Sequence, residues 1–265
     1  MHQTTLRAQC LRLMLSACAA LVLLLPQLAS AQSLSALTEP LAPLNYEVNG
    51  KVTGFSSDLL DLMATETGIN INKQILPWAR AMAMVSRQEN TLIYSLVRTP
   101  EREKQFQWIG PISPRRIILY KFSNRADIVV KTLDDLRRYR IGSANESAAT
   151  KQLLEKGFVI DSQGGATSPG LDIGVNDETN MRKFIAKRFD LLVSLDWAAT
   201  HNGRLAGLKQ GEIEPAWILD DSLNYWYGAS LNTDPQLVKR LNAALQKIKD
   251  DGRYAQLKQR YMPKK

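Results

Sequence analysis

Apolar positions in this chain recur with two periods, and the switches between them mark out its elements. The run Thr91–Val97 (TLIYSLV) is continuous, rich in branched residues and bounded by turn residues, which predicts a buried strand. Upstream, Leu59, Leu62 and Met63 share one helical face behind the capping residues Ser56, Ser57 and Asp58, and Gly68 stops the pattern. Pro43–Tyr46 and Lys51–Thr53 flank Asn49-Gly50, a hairpin signal. Ile69, Ile71 and Ile75 punctuate an extended segment that ends before Pro77, and Trp78–Arg87 reads as a helix. This β-α-β-α-β order implies a parallel sheet covered by helices.

Further along, a second extended run ends at Gly110-Pro111, and residues 115–122 (RRIILYKF) form another strand. The polar Ser123-Asn124-Arg125 reads as a crossover into a second alternating series. That series predicts a short helix at Leu133–Arg137, a strand at Tyr139–Ser143, a helix at Ser147–Lys156 closed by Gly157, and a strand at Phe158–Asp161. A Gly/Ser-rich loop (Gln163–Gly174) precedes a helix from about Asn176 to Arg188 and a buried strand at Asp190–Leu195. The C-terminal helix is the clearest. Asp234 caps it, Pro235 sits in its first turn, Leu237, Val238, Leu241, Leu245 and Ile248 form one stripe, and Gly252 ends it. A last short helix carries Tyr254, Leu257 and Tyr261. Two α/β series without an internal repeat read as two lobes with ligand space between them.

The N-terminus belongs to neither series. Arg7 and Arg12 precede an apolar stretch, Leu13–Leu25, and Ala29-Ser30-Ala31 offers a signal-peptidase site, so residues 1–31 read as a cleaved secretory signal. A lipidation box at Leu15-Ser16-Ala17-Cys18 would have to close the apolar stretch, yet most of that stretch follows Cys18. An uncleaved anchor is disfavoured by the short run and by Pro26. Cleavage after Ala31 removes both cysteines, Cys10 and Cys18, and so excludes disulfides, thiolate nucleophiles and cysteine metal sites. His201 is then the only histidine, which leaves no zinc site and no ordinary catalytic triad; no cofactor, metal site or catalytic residue is expected. The formal charge of +8 loses two units with Arg7 and Arg12, and the remainder is scattered. No aromatic-basic pattern suggests nucleic acid. The product reads as a soluble exported protein.

The most informative stretch is Thr91–Pro111 (TLIYSLVRTPEREKQFQWIGP). It sets Arg98, Glu101, Arg102, Glu103 and Lys104 at the carboxyl end of a buried strand, where open α/β sheets bind ligands. A solvated charged turn is the other reading of the same residues.

Four segments decide between them: NGKVTGFSSDLLDLMA (49–64), ILPWARAM (75–82), SLVRTPEREKQFQWIGPI (95–112) and DPQLVKRLNAALQKIKDDGRYAQLKQRYM (234–262). In order and spacing they resemble the periplasmic solute-binding proteins of family 3, the polar amino acid type. The G-x-x-x-G-F-x-x-D-L signature of that family stands here as Gly50, Gly54, Phe55, Asp58 and Leu59, and the likeness covers nearly all of residues 35–262. The Pro-Trp-x-Arg-Ala and Arg-Thr-Pro-x-Arg-Glu wording is that of a divergent branch.

The resemblance implies an α/β, two-lobed periplasmic binding protein fold (type II), with two parallel or mixed sheets joined by a two-strand hinge. Lobe one would hold residues 32–122 plus 222–265 and lobe two residues 123–221. The second crossing would fall near Trp217–Asp221, and Tyr225-Trp226-Tyr227 would return to lobe one. A small solute would bind between the lobes and be buried by hinge closure. Arg102 matches the arginine that clamps a ligand carboxylate, a role suited to a guanidinium with paired donors and permanent charge. Ser95, beside Tyr94 at the strand end, matches a ligand-bonding position, or is a small packed residue. Trp78 is a cleft wall or a core tryptophan, and Arg80 a surface cation.

Other parts of the family site are altered. Leu41-Ala42-Pro43-Leu44 lacks the aromatic residue on which amino acids stack, and only Tyr46 is close by. In lobe two, Asn145-Glu146-Ser147-Ala148 replaces a Gly-Ser/Thr-Thr turn; Asn145 and Ser147 can still donate to an anion, but Glu146 opposes one. The acid that receives an ammonium falls on Leu195, with Asp196 one step later, either as ligand contact or as helix N-cap. The expected partners are a small amino-acid-like carboxylate and an ABC transporter permease in the membrane, with the protein a monomer. Two other functions fit the same fold. One is an exported enzyme resembling cyclohexadienyl dehydratases, for which Glu146 is the one available proton donor. The other is a solute sensor.

Overall fold

The computed structural model describes residues 33–161 and 169–262; the expected signal peptide and its cleavage after Ala31 lie outside the described residues. In chain order the strands are β1 (Ser33–Thr38), β2 (Tyr46–Val48), β3 (Lys51–Thr53), β4 (Asn70–Ile75), β5 (Thr91–Val97), β6 (Gln107–Phe122), β7 (Arg140–Ala144), β8 (Gly170–Gly174), β9 (Leu191–Leu195) and β10 (Ile213–Ala229). The α-helices are α1 (Phe55–Thr67), α2 (Trp78–Val85), α3 (Ala148–Glu155), α4 (Asp177–Ile185), α5 (Asp196–Leu205), α6 (Pro235–Asp250) and α7 (Arg253–Tyr261), and short 3-10 turns cover Pro100–Gln105 and Asp134–Arg138.

Eight strands form one mixed sheet in the order β4-β1-β5-β10-β6-β9-β7-β8. Two parallel trios, β4-β1-β5 and β9-β7-β8, flank the antiparallel pair β10 and β6. β6 and β10 run through both halves. Their first shared stretch pairs Gln107–Ile109 with Ala229–Tyr227, and their last pairs Phe122 with Ile213. The pairing is irregular around Trp217, Asp220 and Tyr225–Tyr227. The sequence suggested separate strands on either side of Pro111; the structure carries one strand through it. Pro111 is tolerated because the pairing between Tyr227 and Tyr225 is interrupted there, and Pro114, in register with Asn224, precedes the stretch Ile117–Tyr120 where β9 pairs on the other side.

Two main cores form on this scaffold. Phe55, Leu59, Met63, Leu92, Tyr227 and Leu241 pack between α1, α6 and the first trio. Ile117, Leu119, Ile141, Leu153, Leu171 and Val193 pack over the second. The halves also touch away from β6 and β10. Trp197 of α5 joins the first core, stacked on Phe55 with ring centroids 4.6 Å apart, and His201 lies 5.8 Å from Tyr46.

Several local expectations change. β1 was not anticipated from Ser33–Thr38, although it is central to its trio. Phe158–Asp161 contributes only an isolated bridge, Ile160 to Leu171, and the strand β8 lies inside the expected loop Gln163–Gly174. Glycines at both of its ends hide it: Gly174 is needed because a Cβ there would meet the Asn180 amide at 1.8 Å. Ser56 and Ser57 do not cap α1. The helix begins at Phe55 after Gly54, and both serines are buried inside its first turn. By contrast Ser147 and Asp234 cap α3 and α6 as read, accepting from Thr150 N and Gln236 N.

Candidate functional site

β5 ends in a distortion. Tyr94 pairs with Tyr227 and Leu96 with Trp226, which leaves Ser95 as an extra residue, a bulge with left-handed φ of 56°. A non-glycine residue held there costs of order 1–3 kcal/mol and persists only where its surroundings impose it. Here they do. The Ser95 hydroxyl donates to Asn45 Oδ1 and lies 2.9 Å from Ser56 Oγ, which ties the strand end to the 41–45 loop and to α1. Tyr94, beside it, is not at a surface. It is 1% exposed, its hydroxyl is 3.0 Å from Ser57 Oγ, and burial pushes its pKa up. Strand alternation sends Tyr94 into the first core, so it is a packing residue rather than a ligand contact.

The charge cluster separates into two arginines with different surroundings. Arg98 is held by both carboxylate oxygens of Glu103 and sits over the rings of Trp226 and Trp108, 4.7 and 5.3 Å from their centroids. Arg102 is in no ion pair among the described residues. Its Nη1 donates to the Val97 carbonyl at 3.2 Å, and its guanidinium lies 5.5 Å from the Trp78 ring centroid. The structure therefore brings Arg102 and Trp78 together at the end of β5, both partly buried. Arg80 is exposed.

Beside β6, Ser147, Ala148, Ala149, Arg115, Ile117, Asp177, Val193, Ser194 and Leu195 line a partly open cavity of about 90 Å³. Ser147 is the N-cap of α3, so Ala148 and Ala149 present amides with no intrahelical acceptor. Asp177 opens α4 behind its N-cap Asn176, and burial raises its pKa. Asn145 is exposed, its backbone N–H bonded to Gly174 O, and Glu146 is exposed at a φ of 54°. Asp196 is the first residue of α5, not its N-cap. It is 8% exposed and its Oδ1 accepts from Trp197 N at 2.8 Å. Burial raises its pKa to about 6, opposed by the Trp197 N–H and by the charges of Arg116 and Lys258.

Sequence reasoning missed Arg115, Asp177 and Ser194. Arg115 was visible only as the start of a strand and Asp177 only as part of a helix start; their convergence depends on how β6, β9 and α4 meet. Among the described residues no helix is long and apolar enough to cross a membrane.

A sheet whose two halves are threaded by the same two strands, with polar residues gathered beside those strands, defines the periplasmic binding protein fold. Within it, the family model for bacterial extracellular solute-binding proteins, family 3, matches residues 35–264, and the chain belongs to that family. It is 20% identical over 226 residues to the arginine-binding extracellular protein ArtP of Bacillus subtilis (strain 168), covering 83% of this chain and 81% of that protein. In fold it is similar to substrate-binding domain 2 of GlnP from Lactococcus lactis in its open conformation. That likeness has a TM-score of 0.69 at 14% identity over 89% of this chain and 97% of that one. A histidine kinase sensor domain with similarity to periplasmic binding proteins also matches, with a TM-score of 0.62 at 16% identity over 87% and 96%.

Proposed function

We propose that the protein is exported to the periplasm, where it captures a small polar or anionic solute, amino-acid-like in size, and hands it to a membrane ABC transporter. The reading treats residues 32–122 plus 222–265 and residues 123–221 as lobes that close about β6 and β10. The observation that carries it is Arg102: a permanently charged guanidinium beside Trp78, bonded to the Val97 carbonyl and in no ion pair among the described residues, at the carboxyl end of a parallel strand. A guanidinium has five donors, and one carbonyl leaves most of them for a carboxylate. Ser95 positions the strand end, and Ser147 and Asn145 stand at the turn across the hinge. Tyr94 and Asp196 have no part in this set, since each is buried and occupied within its own half.

Binding rather than catalysis fits the polar groups on offer. Glu146, the proton donor the dehydratase-like alternative called on, is exposed beside α3 rather than held at the cavity. The test is a thermal-shift screen of the exported chain against amino acids, organic acids and polyamines, followed by calorimetry on Arg102→Ala. A ligand that binds the folded state raises its melting temperature. Arg102→Ala should abolish that binding while the variant melts cooperatively as before; undiminished affinity would remove Arg102 from the site.

A further inference from the structure

The turn that carries Arg102 has little of its own to fix its shape. Pro100–Gln105 is a six-residue 3-10 segment with no buried residue and no side-chain cap, and such turns have poor hydrogen-bond geometry. Its backbone contributes the bond from Arg102 N to Thr99 O at 3.0 Å. A guanidinium on a loose mount loses the directional advantage of its paired donors, which depends on placement to a fraction of an ångström.

Arg98 and Glu103 brace this turn from its two ends. Arg98 Nε donates to Glu103 Oε2 at 2.7 Å and its Nη2 donates to Oε1, a fork on one carboxylate. Trp108 Nε1 donates to the Glu103 carbonyl at 3.0 Å, so Glu103 is held through its backbone as well as its side chain. The fork is itself seated. Arg98 lies over the rings of Trp226 and Trp108, which meet edge to face with centroids 6.2 Å apart. Trp226 rests on Gly110, where a Cβ would come within 2.7 Å of the ring. Trp226 belongs to β10, and Trp108 and Gly110 belong to β6, so the mount of Arg102 stands on the two strands that run through both halves.

Exposure argues that this brace serves placement more than stability. The side chains of Arg98 and Glu103 are 33% and 47% exposed, and an ion pair so accessible to water adds little to folding. Charge points the same way. Arg98 is a second cation four residues from Arg102, and its pairing with Glu103 removes a competitor for the same anion. We propose that Arg98 and Glu103 are positioning residues, which hold the 3-10 turn against Trp226 and so aim Arg102 without touching the solute themselves. The proposal rests on the solute-binding reading above and deepens it.

Calorimetry tests it with L-arginine, L-glutamine and L-glutamate and, where the parent binds none of them, with the organic acids and polyamines of the wider screen. Arg98→Ala and Glu103→Ala should each weaken the compound that the parent binds by about tenfold, the size of one charge-assisted hydrogen bond lost. Each should shift the melting temperature by less than about 4 °C, as expected of an exposed pair. The double variant should lose no more affinity than either single one, because the two side chains act as one unit. Unchanged affinity in both single variants overturns the proposal and leaves the pair a surface contact. So does an affinity loss that comes with a larger fall in melting temperature, because the role would then be structural. A loss confined to one variant also overturns it; weaker binding in Arg98→Ala with equal or tighter binding in Glu103→Ala would mean that Arg98 meets the solute itself. In all three cases the solute-binding reading stands as long as Arg102→Ala abolishes binding. A blank across the whole screen overturns that reading and the positioning role together.

Discussion

Gly54 shows how a signature residue is dictated by backbone geometry. It stands at a φ of +116°, and a Cβ on it would lie 2.5 Å from the Leu44 carbonyl oxygen, because Phe55 and Ser56 donate their N–H groups to Pro43 and Leu44. Gly54→Ala should therefore destabilise by roughly 1–3 kcal/mol, read as a lower urea midpoint with an unchanged slope. Asp196 makes a different residue-level prediction. Its pKa of about 6 in the folded state exceeds the value of about 3.9 for an unfolded chain, so the folded protein binds that proton more tightly. Stability is then reduced above pH 6 by about 3 kcal/mol, and this cost is relieved as pH falls towards 4. Urea unfolding of Asp196→Asn against the parent should show the variant gaining at pH 7.5 and the difference shrinking towards pH 4; a difference independent of pH would contradict the burial argument. At this scale the sequence made Arg102 legible, since flanking motifs located it. The gathering of Asp177 and Ser194 at one cavity was not, because nothing local marks what other elements bring beside a residue.

At the scale of elements, legibility followed periodicity. α6 was readable to its caps because its stripe, Asp234 and Gly252 agree. β5 was readable because its apolar run is unbroken. β8 and β1 were not: a glycine-bounded GLDIG and a serine-rich SLSALT carry too little hydrophobic pattern, and only sheet neighbours make them strands. The continuity of β6 through Pro111 was equally hidden, since proline ordinarily ends a strand and here occupies an interrupted stretch of the ladder. α5 offers the sharpest test of packing. Its Trp197 is 2% exposed, stacks on Phe55 and has Lys258 Nζ 5.8 Å from its ring. Trp197→Ala should cost about 3–5 kcal/mol, the usual range for removing a buried large aromatic residue. Because the ring joins the first core from the second half of the sheet, a loss below 1 kcal/mol would mean that this contact is absent in solution.

For the molecule as a whole, the decisive property is that two cores share β6 and β10 as their covalent link. Those strands are irregularly paired at Trp217, Asp220 and Tyr225–Tyr227, and missing ladder bonds are where a sheet bends most cheaply. On the proposed reading, a solute held between Arg102 and the second half would gain contacts from both only if the halves hold one relative position, so binding selects that position from the ensemble. The sequence makes this directly measurable, since it contains no cysteine after Cys18. Cysteines introduced at Val129 and Leu231, 52% and 59% exposed and in opposite halves, can carry a donor and an acceptor dye without touching either core. Single-molecule energy transfer should show a broad distribution without ligand that narrows and shifts when the compound found by thermal shift is added, and Arg102→Ala should leave the broad distribution in place. A distribution that stays the same under a saturating, stabilising ligand would mean that the halves are fixed and that β6 and β10 brace the fold rather than hinge it.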